Sequence, residues 1–509
     1  MMSLLIPNKV EIISFITFIF LIISFYSNGL LISKKKEFNI NFVIGWSIFS
    51  LIYILFGAIL NIKLNIITHL YSVLSLVIII KNIKYFQIYK IKKYIFLLPI
   101  IFLFINTKSH GFDSFAFILD KVTYLLNFNE FPTVQFRSNY PFTSNLIHYF
   151  SNFYAGGFSQ NIPALFDLFL VIGSIEILAK TFITKTSKRL INIFIISSIV
   201  IFFNPMIMNV YSFSSYEDFH VAYILLVVFY FNYRNSFSLR KILTKKNIYI
   251  PLLTLLSVCK ATGFIHVGTI LLSNLIIFIL FDKINLKIAK AYLFLCFLCF
   301  FQFFLWQYHI YNSDIFAGNS FKGFRVEIFN NILINYYNQF LVKKLLIFSN
   351  FIFMFSALYI FLFTKKLAYI KICIFISITV FFWNLFHLIF FIFFQGDGHA
   401  LEFHNFFRYL SQFSLVFMLI YLIIINDIIG KNLILILKNN GITVLLLFCL
   451  YSVFLIHFKE FRRDLSNEYK VVDKINKKTI SKMSNNKKNY NNLENTIINF
   501  YNKNSKLLF

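Results

Sequence analysis

Apolar runs of membrane-spanning length recur along the chain, and about every second one is closed by a cluster of lysine or arginine. The first covers residues 10–32 and stops at Lys34, Lys35 and Lys36. About 20 apolar residues carry a helix across the hydrocarbon of a bilayer, and backbone in that layer must satisfy its own hydrogen bonds. A chain with this pattern is restricted to many helices packed side by side. Its composition agrees, being 59% hydrophobic and only 13% charged, where a soluble domain carries about a quarter charged residues. The expected fold class is an all-α polytopic membrane protein of about 13–14 transmembrane helices with large external loops, counted by length.

A net charge of +28 invites a nucleic-acid reading. The lysines and arginines, however, fall in short clusters between apolar runs rather than in a stripe interleaved with aromatics. They read as topology signals that keep their loops on the inner face. No nucleic-acid partner is expected; membrane lipids are. The five cysteines lie in apolar runs, and the Cys296/Cys299 pair sits inside a span, where neither a disulfide nor a metal site is expected.

Holding the basic clusters inside gives each loop a side. Residues 1–93 form a set of N-terminal helices, and the first apolar run is read as an uncleaved span. Residues 94–425 form a membrane core whose external loops are 107–161, 311–340 and 395–409. Residues 426–458 hold a last span, and 459–509 form a polar tail rich in lysine and asparagine. Within the 107–161 loop, Asp120 and Glu130 flank KVTYLLNF, which reads as an amphipathic helix lying in the interface.

Residues 248–281 are apolar except for a break at Cys259-Lys260-Ala261-Thr262-Gly263. At 1.5 Å per residue such a stretch is too short for two full crossings and a turn. It is expected to be a hairpin of two short helices entering from the inner face, with Lys260 near its tip. A lysine at that depth needs protein, water or an anion beside it; the alternative is a side chain snorkelling at a helix end.

This sidedness assigns Asp113, Arg137, Tyr140, Glu217, Asp218, Asp397, His399, His404, Arg408 and Tyr409 to one face. Polar groups converging at one end of a helix bundle are what a site at the membrane surface requires. Asp397, His399 and His404 are irregularly spaced loop residues, so a divalent metal is not indicated and no cofactor is required. No Gly-rich phosphate loop and no DxD pair is present, which disfavours a nucleotide-sugar enzyme.

Four short motifs then occur in order: HGFDSFAFI with Asp113, followed by SNYPFTSNLIHYF with Tyr140 and Pro141; SSYEDFHVAYILL with Glu217 and Asp218; SVCKATGFIHV with Lys260 and Gly263; and FFRYLSQFSLVF with Arg408 and Tyr409. In order, spacing and shared sidedness the chain resembles the GT-C superfamily of membrane glycosyltransferases, the group that includes the protein O-mannosyltransferases and the lipid A aminoarabinose transferases. The resemblance covers residues 94–425.

It implies a sugar donor linked through phosphate to a polyprenol, and a glycan, lipid or protein acceptor. Transfer would invert the anomeric centre at the external or periplasmic face of a bacterial inner membrane. Asp113 would take the acceptor's proton, and Glu217 or Asp218 would orient the acceptor or the base, the family's pattern favouring Asp218. Arg408 and Lys260, with Tyr409, would bind the donor phosphate, whereas Arg137, Tyr140 and Pro141 would position the loop and acceptor. Lys260 serves there only if its hairpin is deep. Two rivals share the hydropathy: a polysaccharide polymerase, and a flippase or transporter of lipid-linked glycans, which would carry charged residues near the bilayer midplane on broken helices.

Overall fold

The computed structural model describes residues 8–85, 101, 104–105, 119–132, 141–182, 204, 217–282, 285–313, 329–336, 367–393, 409 and 411–429. Every regular element among them is a helix. Six of these helices are long and apolar enough to cross a membrane, or seven if a pair bent by 46° at Phe300 is one span. The chain is therefore an all-α, multi-pass membrane protein. The expected spans at 345–363 and 442–457 and the tail at 459–509 lie outside the described residues. So do most of 94–105, 191–208 and the external loops 311–340 and 395–409.

The first two helices, α1 (Lys9–Ser33) and α2 (Phe38–Ile52), make a tight hairpin. α1 starts on a reciprocal cap between Asn8 and Glu11 and stops at Lys34, whose φ of 53° ends the helix in the left-handed region. Helices in lipid gain from close backbone approach rather than from expelling water, and two glycines allow it here. A Cβ built on Gly29 would lie 1.8 Å from the Asn41 carbonyl oxygen, and one on Gly45 would lie 1.8 Å from that of Phe25. Gly29→Ala is accordingly expected to force the pair apart and to cost about 1–3 kcal/mol as overpacking, read as a lower unfolding midpoint in lipid or detergent. An unchanged midpoint would contradict the close approach.

α2 runs on through a π-helical turn (Tyr53–Ile59) to α3 (Leu64–Asn82). Two shorter helices follow in the first loop, α4 (Asp120–Phe128) and α5 (Thr143–Phe153), and then α6 (Ile162–Phe182) and α7 (Asp218–Arg234). α4 covers the stretch expected to lie in the interface, and its Lys121, Val122 and Leu125 are buried. After the short α8 (Leu239–Thr244), α9 (Lys246–Cys259) and α10 (Gly263–Phe281) form the broken hairpin. Then come α11 (Leu286–Cys299) with α12 (Phe301–Tyr311), α13 (Leu367–Phe393) and α14 (Ser414–Ile429).

The helices are tied by hydrogen bonds as well as by apolar packing, which matters where no water competes. Ser47 on α2 meets Thr254 on α9 at 3.1 Å, and Gln302 on α12 donates to the Ser47 carbonyl at 2.9 Å. Tyr223 on α7 donates to Asn39 on α2 at 2.8 Å.

These contacts sort the loops into two ends. At one end the basic segments meet: Arg234 pairs with Glu37 at 2.8 Å, Asn247 donates to the Ile32 carbonyl, and Asp282 accepts from the Leu239 N–H and faces Lys371. At the other end Lys63 pairs with Glu130, Leu64 donates to the Asn129 carbonyl, and His309 bonds the Ala58 carbonyl. Basic loops expected on the inner face thus share one end, and residues 60–63, 129–131 and 309 share the opposite one. The hairpin differs from expectation in depth. α10 is long enough to cross a membrane, and only three residues separate it from α9. Its tip therefore stands at the end opposite the basic loops.

Candidate functional site

Glu217 and Asp218 stand at the head of α7, where the apolar run of that helix begins. Two other parts of the chain converge on Asp218. The turn between α9 and α10 brings Lys260, whose Nζ lies 2.5 Å from Asp218 Oδ1; their side chains are 12% and 5% exposed. Tyr409 offers its ring to the same ammonium, 4.8 Å from Nζ to the ring centroid. Just before α14, Gln412 donates from Nε2 to Asp218 Oδ1 at 2.5 Å. A carboxylate this deep requires such partners, because an unpaired buried charge is costly.

Lys260 is placed by its turn. The backbone leaves the helix at Lys260 in an extended conformation (φ −150°, ψ 159°) and re-enters at Gly263, whose N–H donates to the Lys260 carbonyl at 2.8 Å. The last turn of α9 has carbonyls without a helical partner. One of them, that of Val258, accepts from the Thr143 hydroxyl at 3.0 Å, which fastens the tip to the start of α5. Pro141 is buried two residues before that helix, next to its N-cap Phe142.

Gln412 is fixed in turn by His266 on α10, 2.7 Å from Nε2 to Gln412 Oε1. The His266 ring stacks on Trp383 of α13 with centroids 3.6 Å apart and planes at 19°. One turn on, His387 bonds the Trp383 carbonyl at 3.1 Å and lies 5.0 Å from the Tyr409 ring. The Asp218–Gln412–His266 line therefore rests on a wall of aromatic side chains.

A second chain of hydrogen bonds leaves from Glu217. The Ser144 hydroxyl on α5 donates to Glu217 Oε1 at 3.0 Å and lies 3.2 Å from His220 Nδ1. His220 Nε2 in turn lies 3.1 Å from Oδ1 of Asp167, an acid inside the apolar run of α6. Ser144, His220 and Asp167 are each no more than 2% exposed. Burial pushes the Glu217 carboxyl above its ordinary range, while Lys121, His220, the Ser144 donor and Lys260 pull the other way. His148, one turn beyond Ser144, is kept neutral by burial and pushed down to about 3.

Of the residues singled out in the sequence, Glu217, Asp218, Lys260 and Tyr409 are brought together, and Pro141 lies at the start of the adjoining α5. Asp113, Arg137, Tyr140 and Arg408 lie outside the described residues, as do Asp397, His399 and His404. Sequence reasoning missed Ser144, Asp167, His220, His266, Trp383, His387 and Gln412. The signal for several of them was present: Asp167, His266 and His387 are ionisable side chains inside apolar runs, which mark functional candidates by their cost alone. Among the described residues no group of three or more His, Cys, Asp or Glu side chains is arranged to hold a metal ion.

Chemically, the cluster offers one carboxylate locked to a cation, a second beside it with a raised proton affinity, and a lysine with an aromatic face. No protein-family model, curated protein or solved structure matches the chain, so the site is read from its own geometry.

Proposed function

We propose that the chain is a membrane glycosyltransferase of the GT-C kind, moving a sugar from a polyprenyl-phosphate donor to an acceptor hydroxyl with inversion. One observation carries this reading: Glu217, Asp218, Lys260 and Tyr409, from three separate parts of the chain, converge at the end of the bundle opposite the basic loops. With the basic loops facing the cytoplasm, that end is external, or periplasmic if the membrane is a bacterial inner membrane. A transporter would draw on the same broken hairpin, but its charged groups belong near the middle of the bilayer. Here they sit at helix ends.

In this reading the donor's lipid lies between helices and its phosphate comes to Lys260, an ammonium with three donors. Arg408 is the proposed second cation. As the bond from the sugar to phosphate breaks, charge grows on the departing phosphate, and positioned cations stabilise it most at that moment. Asp218, held by Lys260 and Gln412, orients the cation. The acceptor hydroxyl, a glycan, lipid or protein group, must lose its proton to a carboxylate as it attacks. Asp113 and Glu217 are the two proposed bases, with Arg137 and Tyr140 positioning the acceptor. No metal or other cofactor is part of the scheme.

The test is sugar transfer by the purified chain in lipid, supplied with a mixture of polyprenyl-phosphate sugars and hydroxyl acceptors. Transfer is expected in the wild type and should fall about 100-fold or more in Asp113→Asn or in Glu217→Gln, as loss of a general base does. Undiminished transfer in both variants would remove the carboxylate mechanism.

A further inference from the structure

The hydrogen-bonded chain Asp167–His220–Ser144–Glu217 draws on three elements, α5, α6 and α7 with its head, and its first three members are buried. We propose that it is a proton relay, in which Ser144, His220 and Asp167 are positioning residues that let Glu217 take up a proton at the site and pass it inward. The proposal rests on the glycosyltransferase reading for the source of the proton, though the relay itself is a property of these four side chains.

The geometry permits two arrangements with the same number of protons. In one, Glu217 is a carboxylic acid donating to Ser144 Oγ, the Ser144 hydroxyl donates to His220 Nδ1, and His220 Nε2–H donates to the Asp167 carboxylate. In the other, the Glu217 proton has moved to Ser144 and the Ser144 proton to His220. Glu217 is then a carboxylate accepting from Ser144, and His220 is an imidazolium between Ser144 and Asp167. The gaps to be crossed are 3.0 Å from Glu217 to Ser144 and 3.2 Å from Ser144 to His220, and the 3.1 Å contact to Asp167 holds the charged ring. A hydroxyl is a suited middle member because it donates and accepts at one atom.

During transfer the acceptor O–H bond breaks and its oxygen bonds the anomeric carbon. The bond from that carbon to the phosphate oxygen breaks with its electron pair, and the proton passes to Glu217 and on to His220. The relay regenerates the Glu217 carboxylate, and once products leave, His220 returns the proton through Ser144 and Glu217 to water entering the site.

The surroundings fit such a role. Glu217 faces Lys121 on α4, Ser144 on α5, His220 on its own helix, and Lys260 and Cys259 at the hairpin tip, with Asp218 beside it. His220 faces Asp167, Glu217 and the neutral His148, and its ring is enclosed by Trp46 and Phe166 at 5.8 and 4.8 Å between centroids. A proton on this ring therefore has Asp167 and Glu217 as its counter-charges. This also separates the neighbouring acids: Asp218 is tied into an ion pair, whereas Glu217 has a path for its proton.

The test is infrared difference spectroscopy of the full chain in lipid across pH. The carboxylic-acid band of Glu217 is assigned by its loss in Glu217→Gln, and sugar transfer is measured in parallel. His220→Gln and Asp167→Asn are each expected to move the Glu217 titration to higher pH by about one unit, a tenfold change in proton affinity. The rising limb of any transfer activity should move with it. Ser144→Ala should uncouple the two groups, so that adding His220→Gln then shifts the band little further. If His220→Gln does not fold, the Ser144→Ala and Asp167→Asn chains carry the comparison. A Glu217 band unmoved in the folded variants would overturn the relay. Coupled titration without sugar transfer would uphold the relay and count against the glycosyltransferase reading. Transfer whose pH limb ignores His220 and Asp167 would do the reverse.

Discussion

Lys260→Met is expected to lower the stability of the folded chain by about 3–5 kcal/mol, the cost of removing one partner from a buried ion pair. The side chains of Lys260 and Asp218 are only 12% and 5% exposed, so little water can replace the lost ammonium. The Gln412 amide that donates to Asp218 Oδ1 would remain in the variant. One amide bond, however, compensates a buried carboxylate far less than a cation does. Methionine keeps the unbranched apolar stem and falls only one atom short of lysine, so the loss reports mainly the charge and not a cavity. The double substitution Lys260→Met with Asp218→Leu should recover most of the loss, because two apolar groups leave nothing unpaired. Unfolding midpoints of the four chains in one lipid or detergent complete the cycle. Additive single effects would mean that the two side chains do not depend on each other, and the site as drawn would fail.

Much of this architecture was legible before any coordinates. Basic clusters at span ends set the sidedness, and the Arg234–Glu37 and Lys371–Asp282 contacts at one end agree with it. The rule works because it reads local charge, which needs no knowledge of packing. The acid pair at the head of α7, the lysine in the hairpin break and the tyrosine before α14 were each visible as polar groups at the edge of an apolar run. Their contact was not, since Asp218 and Gln412 are separated by 194 positions and no periodicity connects them. The depth of the hairpin was underread for a related reason. Length alone allowed two short helices, and only the close approach of Gly263 to α9 shows how little chain the turn consumes. Asp167 was passed over because a single acid in IPALFDLFLV hardly lowers the hydropathy of its run. Its cost in that setting was the better guide, for an acid is retained there only with a partner such as His220.

The second large effect is expected at Gly263, and it tests what holds the lysine in place. A Cβ built there would lie 2.0 Å from the Leu256 carbonyl oxygen and 3.2 Å from its carbon, backbone atoms that cannot swing aside as a side chain end would. The neighbouring chain has no slack, because three residues join α9 to α10 and the Val258 carbonyl is already bonded to Thr143. In Gly263→Ala the first turn of α10 must move away from α9, at about 1–3 kcal/mol for the overpacking alone. That movement carries Lys260 away from Asp218, so the loss of the ion pair adds to the steric cost. The two contributions separate experimentally: the Lys260–Asp218 coupling, measured by double-mutant cycle, should fall toward zero in the alanine background. Gly268 supplies the control on the same helix, since a Cβ there meets nothing within 4 Å. Gly268→Ala should be neutral or should stabilise the helix by up to about 1 kcal/mol. If Gly263→Ala matched Gly268→Ala in stability and kept the coupling, the tight turn would not be what delivers Lys260 to Asp218. The lysine would then have to be held by its pairing with the acid, with the backbone following the charge.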